Sequence, residues 1–372
     1  DGAHIVEGFN AQCRRTAGER GKGEADDAGR IVHRAASDRL AGGDQGVLEI
    51  CEAHRRRLLG FEDEVVDHHV HAGIEAAYAA SKMGLDTLLL TMNADQIGAM
   101  SCNPAVGGLG KSQLAREVDA LGGLMCRIAD ETAMQYRLLN ESKGPAVRAT
   151  RVQTDRHEYR QKMKAILERT ENLSLKQGQV AKLLFDGPKL TGVETSLGQK
   201  FLSEAVVITT GTFMNGKAHI GKQSFASGRA GEPPSLGLSD FLASIGIKIG
   251  RLKTGTVPRV DARSIDFSKT EEQASHTHCG PLSFFKSEMR SDLVSAHITY
   301  TSSLTHEIIR ESLAESPLYS GIISSRGPRY CPSVAPSDCP TGRCPHLSKY
   351  SAVWQFGCSA QRVDRTAYSH AQ

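Results

Sequence analysis

The chain has 372 residues, with 45 Lys and Arg against 42 Asp and Glu, a net charge of +3, 39% hydrophobic and 23% charged residues. That is enough chain for two ordinary domains or one large one, with the composition of a globular protein. No apolar run approaches the roughly 20 residues of a membrane-spanning helix, and the nearly balanced charge is compatible with nucleic-acid binding without arguing for it.

In chain order, "DGAHIVEGFNAQCRRTAGERGKGEADD" (1–27) lacks the apolar core of a secretion signal, so a cytoplasmic location is expected. Residues 1–60 are rich in Arg, Gly, Ala and Asp, hold at most one short helix, and are expected to pack poorly. From 61 to 334 the pattern becomes regular. "GIEAAYAASKMG" (73–84) predicts an Ala-rich helix ending at Gly84, and "DTLLLT" (86–91) a buried strand. "QTDRHEYRQKMKAILERTE" (153–171) predicts a helix with Tyr159, Met163, Ile166 and Leu167 on one face. Residues 182–212 read as strand, turn, strand, turn and a buried strand that runs into Thr210-Gly211-Thr212. Short helices are expected over 240–246 and 306–316. Such intermixing points to α/β or α+β architecture. Residues 335–372 have no clear period and are expected to be irregular.

Nine cysteines lack a paired rhythm, which fits reduced thiols. Cys331, Cys339, Cys344 and Cys358 lie in irregular Pro-rich sequence and make a poor zinc set, so no metal is expected. "SCNPAVGGLGKS" (101–112) invites comparison with a phosphate-cradling loop. It fails, because Ala105 stands where the first glycine must be and no buried strand leads into it. "EVVDHHVHAGIEAA" (64–77) sits where a βαβ dinucleotide fingerprint belongs. Only its third glycine, Gly73, is present; His68 and Val70 occupy the first two positions, and an ordinary strand–loop–helix remains an open reading.

Six stretches then follow in order: "MSCNPAVGGLGKSQLAREVDALGGLM" (100–125), "NESKGPAVRATRVQTDR" (140–156), "GTFMNGKAHIG" (211–221), "GRAGEPPS" (228–235), "GRLKTGTVPRVDARSIDFS" (250–268) and "GPRYCPS" (327–333). Together they closely resemble the MnmG/GidA family of tRNA uridine 5-carboxymethylaminomethyl modification enzymes, over about 61–334. The resemblance accounts for 101–112 as a family signature loop.

The resemblance implies an α/β protein with a glutathione-reductase-like, FAD-binding Rossmann domain over 61–215. A nicotinamide-nucleotide or substrate region is inserted over 216–334, and segments foreign to the family lie at 1–60 and 335–372. It implies FAD, NADH and methylene-tetrahydrofolate, tRNA as substrate, an MnmE-type GTPase as partner, and a homodimer. Cys102 and Cys331 match the family's motif cysteines. Uracil C5 is a poor nucleophile until a group adds at C6, and a thiolate suits that addition. The family's FAD contacts fall on His68, His69, Val70, His71, Ala72, Gly73, Val180 and Ser235, and its nicotinamide-nucleotide segment on Gly327, Pro328, Arg329 and Tyr330. Lys253, Arg259 and Arg329 stand in motif loops where they suit NADH phosphates. Lys143, Arg148, Arg151, Arg156 and Arg160 form a cation series suited to cofactor or tRNA phosphates, or to a solvated helix face.

The chain departs from the family in the missing glycines before His71 and in the change of text after Val334. A family half with a second FAD-binding segment and a helical tRNA and partner region is therefore expected to be missing. The alternative function is an inactive fragment that at most binds nucleic acid or a partner through 143–160. A small-molecule flavoprotein oxidoreductase would need a cysteine pair that Cys102 does not have. Two reading-frame shifts would produce both breaks. Translating the alternative frames near codons 60–70 and 334–340 should restore a glycine-rich loop upstream and family sequence downstream; the absence of both would refute the idea.

Overall fold

The structure, a computed structural model, describes residues 63–67, 71–101, 103–220, 222–229, 231–252, 260–300, 302–312, 315, 317, 320, 322–323 and 352–354. Strand β1 (Asp63–Asp67) leads to helix α1 (His71–Lys82), which turns at Gly84 into β2 (Asp86–Thr91). The helix begins two residues before the expected start and the strand matches its expected bounds. β6 (Leu173–Gln177) and β10 (Ala205–Ile208) complete a four-stranded sheet of order β10-β1-β2-β6, parallel throughout. Counting only its own strands, the order is 3-2-1-4 reversed, that of a Rossmann half.

The apolar run in β2 is explained by cover on both faces. Leu89 joins a core with Ile74 and Ala77 of α1 and with Tyr159, Met163 and Leu167 of α4 (Arg156–Leu167). Leu90 points the other way, into a second core with Val180, Val193, Leu238 and Leu242. That second layer is an antiparallel meander of β7 (Val180–Asp186), β8 (Lys189–Thr195) and β9 (Lys200–Leu202), with α5 (Leu238–Ser244) packed on it. Full burial of one such leucine stabilises by roughly 1.5–3 kcal/mol.

α4 is shorter than its amphipathic window. Gln153 and Thr154 belong to strand β5 (Ala149–Thr154), and the Asp155 side chain then accepts from His157 N at 2.8 Å and Glu158 N at 3.0 Å. A carboxylate N-cap fixes where a helix may start. β5 is the centre of a second sheet, antiparallel, flanked by β3 (Ala105–Gly107) and β4 (Ala133–Leu139). Helices α2 (Ser112–Ala120) and α3 (Met125–Glu131) connect β3 to β4. Farther on come the hairpin β11 (Lys217–Ile220)/β12 (Gln223–Ala226), the sheet of β13 (Glu271–Gln273) and β14 (Ala296–Thr299), and α6 (Ser303–Ser312). α5 and α6 each start two or three residues before their expected positions. Ala352–Trp354, in a segment expected to be irregular, forms β15 antiparallel to β14. Pairing with a distant strand supplied the order that no local period announced.

Carboxylates sit inside this architecture. Glu75 of α1 accepts from Leu124 N at 3.0 Å and Met125 N at 2.6 Å, capping α3 from outside. Asp119 accepts from the Ser283 hydroxyl and Phe284 N, at 2.8 and 2.7 Å. Asp130 accepts from Leu282 N at 2.9 Å, Ser283 N at 2.7 Å and the Tyr136 hydroxyl at 3.0 Å. These contacts fasten the distant 282–284 segment to α2 and α3. Around it, Arg290 pairs with Glu158 and Asp292, and Lys286 with Glu131.

Asp130→Ala should cost roughly 3 kcal/mol or more in urea unfolding, because two buried amides and a phenol lose their acceptor. Burial pushes the carboxyls of Glu75, Asp119 and Asp130 above the usual range. Between the ordinary and the raised value the folded chain holds protons that the unfolded chain has released, so their contribution to stability falls as pH rises through that window. Wild-type stability measured relative to Asp130→Asn should therefore decline as pH rises above the ordinary carboxylate value of about 4. A gap that stays constant or widens would contradict the assignment.

Candidate functional site

In an open parallel sheet, ligands bind beyond the carboxyl ends of the strands, where the strand order reverses. Here that point lies between β1 and β10. The N-terminus of α1 opens on it from one side, and Thr210-Gly211-Thr212 follows β10 on the other. His71 is the first residue of α1, and Gly73 is buried in the first turn. The His71 ring lies 5.4 Å from that of Tyr159. Its Nε2 is buried without a hydrogen-bond partner. Burial lowers the imidazole to about 4, so the ring is neutral near pH 7. Ala72 is exposed beside it. His68, His69 and Val70 lie outside the described residues.

Beyond β10 several loops converge. Phe213 is buried, and the Arg229 guanidinium lies over its ring at 5.1 Å. Arg229 also forms a nearly buried ion pair with Glu232 and donates to the Ser101 hydroxyl at 3.4 Å. Thr212 donates to the Gly228 carbonyl at 2.8 Å. Ser235, an expected cofactor contact, is buried; its backbone exchanges hydrogen bonds with Phe213 O and Asn215 N, both at 2.8 Å. A Cβ on Gly228 would stand 2.1 Å from the Phe213 ring, so only glycine fits there. Val180 begins β7 with its side chain in the second core, which leaves its backbone rather than its side chain as a possible contact.

The 101–112 loop meets this junction through Ser101. It contains strand β3, placed inside the motif instead of before it, and antiparallel rather than leading into a phosphate loop. Asn103 accepts from Gln153 Nε2 at 3.1 Å, and Gly108 N donates to Thr150 O at 3.0 Å. Cys102, between Ser101 and Asn103, lies outside the described residues, as do Cys331, Gly327, Pro328, Arg329, Tyr330, Lys253 and Arg259.

The five cations do not form one stripe. Lys143 and Arg148 are exposed on the loop between β4 and β5. Arg151 lies on β5, half-buried, its guanidinium 3.5 Å from Gln153 Oε1. Arg156 is exposed at the start of α4, and Arg160, one turn on, donates to Gln96 at 3.3 Å. The strand-to-helix change at Asp155 breaks the periodicity that would have aligned them. Sequence reasoning missed Ser101, Asn103, Gln153, Arg229 and Glu232. They stand in or beside the recognised motifs, but their convergence is set by long-range contacts.

The reversal point, the buried helix glycine and the β-meander over the sheet define an α/β protein with a Rossmann-type parallel sheet, a fold of the flavoprotein type. The family model described as "Glucose inhibited division protein A" matches residues 71–339, and the chain belongs to this GidA family. It is 53% identical over 272 residues to a Pelobacter propionicus protein named tRNA uridine 5-carboxymethylaminomethyl modification enzyme MnmG, covering 73% of this chain and 43% of the relative. A Geobacter sulfurreducens relative of the same name is 51% identical over 272 residues, with the same coverage of both. Among solved structures, Aquifex aeolicus GidA in one crystal form superposes with a TM-score of 0.68 at 45% identity, over 73% of this chain and 46% of that one. A second form gives 0.66 at 44% identity, over 69% and 43%. The chain thus spans less than half the length of these relatives.

Gly107 has a φ of +87°, and a Cβ there would lie 2.2 Å from Thr150 O. Gly107→Ala should therefore cost about 3 kcal/mol and make the 101–111 loop more open to limited proteolysis; an unchanged melting curve would refute this account of the loop.

Proposed function

We propose that this chain carries the FAD-dependent part of a tRNA-modifying enzyme that builds the carboxymethylaminomethyl, or aminomethyl-type, group at C5 of a wobble uridine. The observation that carries this reading is the identity of 51–53% with relatives named MnmG, extending through the loops that converge beyond β10. NADH as reductant, methylene-tetrahydrofolate as carbon donor, an MnmE-type GTPase partner, a homodimer and a cytoplasmic location belong to the same proposal. No helix among the described residues is long and apolar enough to cross a membrane. The division into a cofactor domain over 61–215 and an inserted region over 216–334 is also proposed.

The described residues fit a dinucleotide. His71 Nε2 is a buried polar atom in want of a partner at the mouth of α1, and a helix N-terminus favours a pyrophosphate. His71, Ala72 and Gly73 would hold that group, with the backbone of Val180 and Ser235 farther along; His68, His69 and Val70 belong to the same loop. When bound, FAD supplies hydride transfer between NADH and the one-carbon unit. Gly327, Pro328, Arg329 and Tyr330 would meet the nicotinamide nucleotide. Cys102 and Cys331 are the proposed nucleophile and acid/base pair. A thiolate adds to uracil C6, its lone pair forms the S–C bond, and the C5–C6 π pair moves toward C5. Loss of the C5 proton and departure of the thiolate restore the ring after C5 has reacted. Lys143, Arg148, Arg156 and Arg160 offer exposed or half-exposed charge for tRNA phosphates, and Arg151 faces the signature loop.

A second reading, an inactive fragment that binds only nucleic acid or a partner, is favoured by His68 and Val70 in place of glycines. FAD titration followed by visible absorption separates the two. The enzyme reading expects a saturable flavin band, tightened by His68→Gly with Val70→Gly. Soluble protein without a band would leave the second reading. Where flavin binds, Cys102→Ala and Cys331→Ala should each abolish modification of tRNA while leaving the flavin band in place.

A further inference from the structure

We propose that Glu141, His276 and His278 form a binding site for a divalent first-row transition cation, with zinc the expected occupant. One ligand atom from each of the three lies within 4.8 Å of the others, and no other such trio occurs among the described residues. Glu141 Oε1 and His278 Nε2 are 2.9 Å apart, and the two imidazoles stack at 4.9 Å between centroids. Zinc bonds of about 2.0–2.1 Å in tetrahedral array place ligand atoms about 3.4 Å apart, so the trio closes on an ion with side-chain shifts of about an ångström. Two imidazoles and a carboxylate are a borderline-soft set, suited to zinc, cobalt or nickel rather than calcium or magnesium. The partial exposure of all three side chains leaves a fourth position to water.

The backbone holds these residues in place from far apart in sequence. His276 N donates to Tyr136 O at 2.9 Å, Ser275 Oγ accepts from Tyr136 N at 2.9 Å, and Gln135 Nε2 donates to Gln273 O at 2.8 Å. Residues 273–276 are thus laced to β4. The same strand runs into Asn140, in the left-handed region at φ 54°, and the tight turn carrying Glu141. That turn is closed by Lys143 N on Asn140 O, at 3.0 Å, and by Arg148 Nε on Glu141 O, also at 3.0 Å. Both halves of the site are therefore referenced to one strand.

The His276 ring is presented as a ligand. Arg137 Nη1 lies 2.7 Å from its Nε2. A neutral imidazole carries one lone pair, and both of its nitrogens face donors here, so the tautomer decides which nitrogen presents it. Leu138 N–H faces Nδ1 at 3.3 Å, so neither edge meets an acceptor that would hold an imidazolium. Arg137 occupies the direction from which a cation would bind and acts as its competitor.

The test is calorimetric titration of the full chain with zinc chloride, repeated for His276→Ala, His278→Ala and Arg137→Gln. The site predicts one saturable zinc per chain. Loss of either imidazole should weaken it by more than the about 10- to 100-fold that an outer-shell partner is worth, and Arg137→Gln should tighten it. Cobalt(II) should give the weak visible bands of a nitrogen and oxygen set. A flat titration would overturn the proposal. So would affinity unchanged in His278→Ala, whose exposed side chain can be removed without loss of fold, or an intense thiolate-to-cobalt band assigning the ion to cysteines.

Discussion

Asp119 and Asp130 together accept hydrogen bonds from three successive backbone amides, Leu282 to Phe284, and from the hydroxyls of Ser283 and Tyr136. A backbone segment brought into an interior must find acceptors for its N–H groups. Carboxylates are strong ones, at the cost of their own desolvation. Glu75 does the same for the N-terminus of α3. The three acids surround Cys126, whose thiol burial and nearby negative charge hold well above its ordinary range. It is an inert packing thiol that donates to Ala115 O at 3.3 Å. Without this clasp, residues 282–284 would lose the acceptors that hold their amides against α2 and α3.

The same dependence explains how the converging loops are ordered. Each is short on regular structure, and each is fixed by a contact to another loop: Ser101 to Arg229, Arg229 to Phe213 and Glu232, Phe213 to Ser235. The parallel sheet supplies the direction, since the carboxyl ends of β1 and β10 open on this junction. A rigid sheet with loops pinned at one edge lets a site vary its chemistry without disturbing the core. The second core, under the meander, keeps Val180 and Leu90 out of water and so fixes the other wall of the sheet.

β2 shows how far a sequence can be read locally. Its run of leucines announced a strand covered on both faces, because alternating side chains must then both be apolar. Tyr159, Met163 and Leu167 announced the buried face of α4 through helical spacing. β3, β4 and β5 were not legible. Their residues, such as "AMQYRLL" and "ATRVQT", alternate imperfectly, and their pairing depends on partners from 10 to 50 residues away, by the registers of Ala105 with Gln153 and Leu139 with Ala149. The later start of α4 likewise came from its Asp155 cap, which competes with the apolar period.

By itself the sequence determined the lineage, the helix and strand over 73–91 and the order of the motif stretches, because these are written in contiguous segments whose local physics or order is distinctive. Only the tertiary structure decided that Arg151 leaves the cation series for the signature loop, that Arg229 joins three motifs, and that Glu141 meets His276 and His278. Each of these depends on backbone hydrogen bonds that bring together residues dozens to more than a hundred positions apart, and no local pattern of residue types encodes that closure.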